Sequence, residues 1–113
     1  MLFRSGCAVI GPTVVTPDEV PDPSALHLRA TITRGGHEIF ADECGVDRMK
    51  RTLPELVHFL RLNNPIQDGT VLSTGTGIIV TQDQALHEGD VVTIEAAPIG
   101  ALRHGMRKLP IDA

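Results

Sequence analysis

The chain has 113 residues and a net charge of −4, with 42% hydrophobic and 21% charged residues, which fits one globular domain and excludes both a disordered segment and two full domains. An acidic chain with three Phe and no Trp or Tyr offers neither the basic surface nor the stacking platform of a nucleic-acid binder. No apolar run approaches the roughly 20 residues of a membrane helix, and Met1-Leu2-Phe3-Arg4-Ser5-Gly6 lacks a signal-peptide core, so a soluble cytoplasmic protein is expected.

Residues 7–15, Cys-Ala-Val-Ile-Gly-Pro-Thr-Val-Val, read as two short β-type runs around the Gly11-Pro12 turn. A loop with Pro17, Pro21 and Pro23 follows, its acidic residues interleaved. From Leu26 to Thr33 the sequence alternates, with Leu26, Leu28, Ala30 and Ile32 on one face; period two predicts a half-buried strand. Gly35-Gly36 turns it back into His37-Glu38-Ile39-Phe40, a β-hairpin.

The basic run Arg48, Lys50 and Arg51, preceded by Glu43 and Asp47, reads as a solvated helix start. Thr52-Leu53-Pro54-Glu55 has capping-box form, and Leu53, Leu56, Val57 and Leu60 recur at helical spacing, which predicts a helix over 53–62. Asn63-Asn64-Pro65 ends it. Residues 70–73 and 77–80 read as short strands on either side of Gly75. His87-Glu88-Gly89-Asp90 is a turn into a strand over 91–95, and Pro98-Ile99-Gly100 turns again into 101–103. Strands around one or two short helices, without βαβ alternation, predict a mainly β chain with a mixed sheet.

Cys7 and Cys44 match no zinc spacing and read as free thiols. The five histidines show no metal-type spacing and read as surface or half-buried side chains. Asp42, Glu43 and Asp47 read as a polar loop before the helix rather than as a metal site. The sharpest local feature is Thr74-Gly75-Thr76-Gly77. Glycines let backbone approach a ligand, and threonine hydroxyls with free N–H groups bind a carboxylate. The same residues also suit a tight corner whose threonines only satisfy the backbone.

Taken in order, Gly11-Pro12, the loop 16–23, the strand 26–33, Pro54-Glu55-Leu56, Asp68-Gly69, Thr74-Gly75-Thr76, Gly89-Asp90-Val91-Val92 and Ile99-Gly100-Ala101-Leu102 form a set. Over nearly the whole chain, that set resembles the C-terminal part of the fumarylacetoacetate hydrolase superfamily. Thr74 to Ile78 and Ser5-Gly6-Cys7-Ala8 resemble its sugar-acid branch, whose members dehydrate 2-keto-3-deoxy sugar acids. Other members hydrolyse acylpyruvates, decarboxylate or isomerise.

The resemblance implies a β-sheet roll or sandwich, here incomplete, with residues 1–113 as a partial C-terminal domain. It implies an α-keto acid substrate and Mg²⁺ or a similar ion acting as a Lewis acid on an enolate. The family holds that metal by Glu-x-Glu and an Asp upstream of the matched segment; the chain has no Glu-x-Glu. No metal is therefore expected to bind this chain tightly alone, and no catalytic residue is assigned. Thr76, then Thr74 and Gly75, are implied substrate contacts, and Arg4 is the basic residue nearest the family's active-site Lys. An isolated inactive portion of a dehydratase is the first expectation. A non-catalytic subunit that completes a partner's site is the second. Both imply self-association or association with a missing N-terminal half.

Overall fold

The structure is a computed structural model that describes residues 8–110. Strand β1, His27–Arg34, and strand β2, His37–Gly45, form the expected hairpin. Its two turn residues, Gly35 and Gly36, have φ of +57° and +81°, the left-handed pair that a two-residue hairpin of matching twist requires. The register passes from Ile32 opposite Phe40 to Thr33 opposite Glu38, so Ile39 is an unpaired bulge residue. Its carbonyl instead accepts a hydrogen bond from Gln84 Nε2 at 3.3 Å.

Strand β3, Val91–Ala96, and strand β4, Gly100–Gly105, complete a four-stranded sheet of order β2-β1-β3-β4. Every pairing is antiparallel, where a mixed sheet was expected. The residues form mutual hairpins joined by one long excursion, so no parallel crossover arises. Of the alternating face of β1, Ile32 is buried and Leu28 and Ala30 are half-buried.

One end of the sheet is clamped by a buried carboxylate. Asp90 is fully buried; its two oxygens accept from Arg34 Nε and Nη2, each at 2.8 Å. The His87 N–H donates to it at 2.8 Å, and Arg34 Nη2 also donates to the Ala85 carbonyl at 3.1 Å. The Arg34 bonds first, then the His87 amide, hold the Asp90 carboxyl well below the usual carboxylate range. The turn 85–90 is thus tied to the end of β1, fifty-six residues earlier in the chain.

Helix α1, Leu53–Arg61, carries the full capping box: Glu55 N–H donates to Thr52 Oγ1 at 3.3 Å, and Thr52 N–H to Glu55 Oε2 at 2.8 Å. Asn63, at φ +53°, ends it. The helix buries none of its residues; Leu53, Leu56 and Leu60 are half-buried and Val57 is 44% exposed.

Residues 70–73 and 77–80 are not strands, and neither are 8–15. From Val71 to Val80 no backbone–backbone hydrogen bond is made among the described residues. The composition favours strands, but a strand exists only with a ladder partner, and neither sheet edge, β2 or β4, forms a ladder with these segments. Asp42 and Glu43 lie on β2 rather than in a loop; Asp47 lies in the 3₁₀ turn Val46–Arg48.

Among the described residues only Ile32, Ala96 and Asp90 are buried. The chain exposes 9392 Å², against roughly 6,000 Å² for a compact monomer of its mass. Its radius of gyration is 16.0 Å, against about 13 Å for a compact domain of this length. Much of the apolar surface that would ordinarily form a core faces outward.

Candidate substrate cleft

A cleft of ≈ 440 Å³ opens between two walls. The first wall is built from the end of the hairpin: Leu28, Cys44, Gly45, the turn beginning at Val46, the basic run to Arg51, and Leu56 of α1. The second is the segment Thr74 to Ile78. The walls meet where Cys44 faces Gly77: a Cβ on Gly77 would run into the Cys44 thiol. Glycine is thus required there by close approach. Gly75 is required by conformation, since its φ is +91°. Cys44 is a half-buried free thiol.

Thr76 folds its hydroxyl onto its own chain. Oγ1 accepts from the Ile78 N–H at 3.0 Å and donates to the Ile78 carbonyl at 3.1 Å. This is the corner-forming role weighed above, and it pins the loop. The four N–H groups of residues 74–77 make no hydrogen bond among the described residues. A short run of free N–H groups around a left-handed glycine is a concavity suited to an anion.

The structure brings Thr74, Gly75 and Thr76 together in this cleft. Arg4, Ser5, Gly6 and Cys7 lie outside the described residues. Arg48, Lys50 and Arg51 are exposed and lead into the Thr52 cap of α1, as a solvated helix start would be, and they also line the cleft that Thr76 lines. The available signal was their setting, an isolated basic run in an acidic chain. What hid it was distance, since Lys50 and Thr76 are joined only by the fold.

Residues 3–107 match the family model described as fumarylacetoacetate (FAA) hydrolase C-terminal. The chain belongs to this family. It is 36% identical over 104 residues to a 2-dehydro-3-deoxy-D-arabinonate dehydratase of Saccharolobus solfataricus, covering 92% of this chain and 35% of that protein. It is 38% identical over 100 residues to a probable 2-keto-3-deoxyxylonate dehydratase of Haloferax volcanii, covering 88% of this chain and 35% of that one. A solved 2-keto-3-deoxy-D-arabinonate dehydratase complexed with magnesium and 2,5-dioxopentanoate superposes with a TM-score of 0.88 at 36% identity, over 93% of this chain and 38% of its own. The chain therefore spans about a third of the length of the relatives it matches.

Within this FAA hydrolase family segment, the residues present do not fit a magnesium ion. No residue lining the cleft is acidic and three are cationic, whereas Mg²⁺ requires hard oxygen ligands, commonly carboxylates. Among the described residues no group of three His, Cys, Asp or Glu side chains is placed to hold a metal. The histidines are exposed, except half-buried His104. Among the described residues no helix is long and apolar enough to cross a membrane.

Proposed function

We propose that this chain is a partial C-terminal domain of a 2-keto-3-deoxy sugar acid dehydratase, and that its cleft holds the carboxylate end of an α-keto acid. The observation that carries the reading is the loop Thr74 to Gly77, with free N–H groups, lining one cleft together with three cationic side chains and no acidic one. The kinship with two sugar-acid dehydratases points to the same substrate class. In the complete enzyme the metal chemistry would fall to carboxylates that this chain's cleft, lined by none, does not supply. Thr76 would orient the loop and present its remaining acceptor capacity, with Thr74 and Gly75 beside it. Arg4 keeps its proposed place near the substrate on family resemblance alone.

A dehydration assay with 2-keto-3-deoxyarabinonate tests this reading. Residues 1–113 alone are expected to be inactive, and chelator-sensitive turnover by them would overturn that. Thr76→Val in the complete protein is expected to lower kcat/KM roughly fivefold to tenfold, the value of one hydrogen bond of about 1–1.5 kcal/mol. Thr76→Ser should restore most of it. Equal activity of the Val variant would remove Thr76 from the site.

The acid-free cleft also favours a second reading, a binding subunit that completes a site in a partner chain. The intact mass of the native gene product separates the two. A mass well above 12.1 kDa supports the dehydratase portion, and 12.1 kDa supports the subunit.

A further inference from the structure

We infer that Gln84 is the positioning residue of the loop Thr74 to Gly77: its side-chain amide, bound to the bulge of β2, sets where that loop stands in the cleft. Its bearing on a ligand rests on the reading of the cleft as an α-keto acid site.

The stretch that carries the loop is almost unattached. From residue 61 to residue 89 every residue is exposed except half-buried Ile78 and Gln84. Ile78 lines the cleft. Gln84 is a polar side chain drawn inward from a stretch that leaves Val71, Ile79 and Leu86 exposed, which inverts the usual distribution. Its hydrogen bonds give the reason. Among the described residues, the bonds made between Pro65 and Thr81 are all local, reaching no further than three positions. The first bond to a distant part of the chain runs from Gln84 Nε2 to the Ile39 carbonyl at 3.3 Å.

Ile39 is the residue that the bulge leaves without a ladder partner, so its carbonyl is open to a side chain from outside the sheet. A carbonyl only accepts, so Gln84 presents its N–H₂ to it. The amide oxygen is then left for Thr81, whose hydroxyl donates to it at 3.3 Å. Both ends of the amide are used, and the 3₁₀ turn Gln82–Gln84 is drawn onto β2.

The neighbouring clamp supplies one fixed point and Gln84 a second. Arg34 holds the Ala85 carbonyl and Asp90, and so ties residues 85–90 to β1. One point fixes where the chain starts but not the direction in which it leaves. Gln84 adds a point on β2, the strand whose Cys44 meets Gly77. The chain from Gly77 to Gln84 therefore runs back along β2 from Cys44 to Ile39. The strand from 39 to 44 covers roughly 17 Å, while the chain from 77 to 84 can reach roughly 24 Å. Covalent length alone does not place the loop, and without the anchor it has room to leave Cys44.

Amide-resolved NMR of the full chain tests this with two variants. Gln84→Met keeps the length and loses both bonds; Gln84→Glu keeps the acceptor for Thr81 and sets a carboxylate against the Ile39 carbonyl. Gln82→Met is the control, an exposed residue of the same turn whose side chain makes no hydrogen bond among the described residues. Both Gln84 variants are expected to shift the amides of 74–78 and to weaken binding of sodium pyruvate, the probe ligand, roughly fivefold to tenfold, the weight of one hydrogen bond. The amides of β1 and β3 should stay in place, and Gln82→Met should match the wild type.

Unmoved 74–78 amides in Gln84→Met would overturn the inference. So would a Gln84→Glu chain that matches the wild type, since the Ile39 bond would then not be the one that counts. Loss of the sheet signals together with those of the loop would overturn it by showing a general structural role. Unchanged pyruvate affinity in both variants would overturn it and leave the keto-acid reading standing. No pyruvate shift in the wild-type chain would overturn the reading of the cleft itself, and with it a ligand-positioning role for Gln84.

Discussion

The sheet and the segment from Val71 to Val80 are written in similar residues and behave in opposite ways. Both are rich in Val, Ile and Thr. In the sheet each strand has a ladder partner, and its far end is closed by Asp90. The segment 71–80 has no ladder, and Val71 and Ile79 are 65% and 73% exposed. The difference lies not in propensity but in whether a ladder partner is present among the described residues, near in sequence as for β1 and β2 or distant as for β1 and β3. The sheet completes itself; the segment 71–80 is left exposed with its apolar side chains uncovered.

Amide hydrogen exchange should show this contrast at its largest. The central strands β1 and β3 are expected to exchange on the order of a hundredfold or more slowly than residues 71–80. Equal protection in the two regions would mean that 71–80 finds a partner in solution, as by self-association. Protection that appears in 71–80 only as protein concentration rises would identify that partner as another copy.

Breaking the closed end should erase the contrast by unfolding the better region. Asp90→Asn loses the ionic half of its bonds with Arg34 while keeping its size. The melting temperature is expected to fall by several degrees, because the half-buried Arg34 guanidinium loses its anionic partner and an amide N–H₂ is set against it inside the clamp. The depressed Asp90 carboxyl also sets an acid dependence. Its contribution is fully present above the unfolded value near 3.8 and is lost as pH falls toward the lower folded value. Stability should therefore decline with acid below about pH 5 in the wild type, and the decline should be shallower in Asp90→Asn.

The sequence showed the self-completing region well and the other poorly. Alternation over Leu26–Thr33, the Gly35-Gly36 turn and the Thr52–Glu55 box are local codes, and the structure bears each of them out. The strands expected at 70–73 and 77–80 failed because pairing is not local. For the same reason the sharing of one cleft by Arg48, Lys50, Arg51 and the glycine-threonine loop is not legible in the sequence. Asp90 was noticed only as part of a turn motif; that it is buried and paired with Arg34 depends on two segments meeting across the sheet.

A finer test lies where the two regions touch. Gly77→Ala sets a methyl group against the Cys44 thiol. The expected cost is about 1–3 kcal/mol if the walls are held in place, and Cys44→Ala should relieve much of it. A double-mutant cycle with no coupling would mean that the loop simply moves away, and that the cleft is not held closed at this point.

The smallest expected effect probes whether α1 belongs to the ordered region or to the dependent one. Thr52→Ala removes the acceptor for the Glu55 N–H, a loss of about 1 kcal/mol in a helix whose formation is coupled to the fold. The helix buries none of its nine residues, and a helix that short has little stability of its own. If the cap is the main support, Thr52→Ala should lower helicity locally and leave the melting of the sheet unchanged. A matching drop in sheet melting would show instead that Leu56 and Leu60 couple α1 to the hairpin. The first wall of the cleft would then be as rigid as the sheet on which it stands.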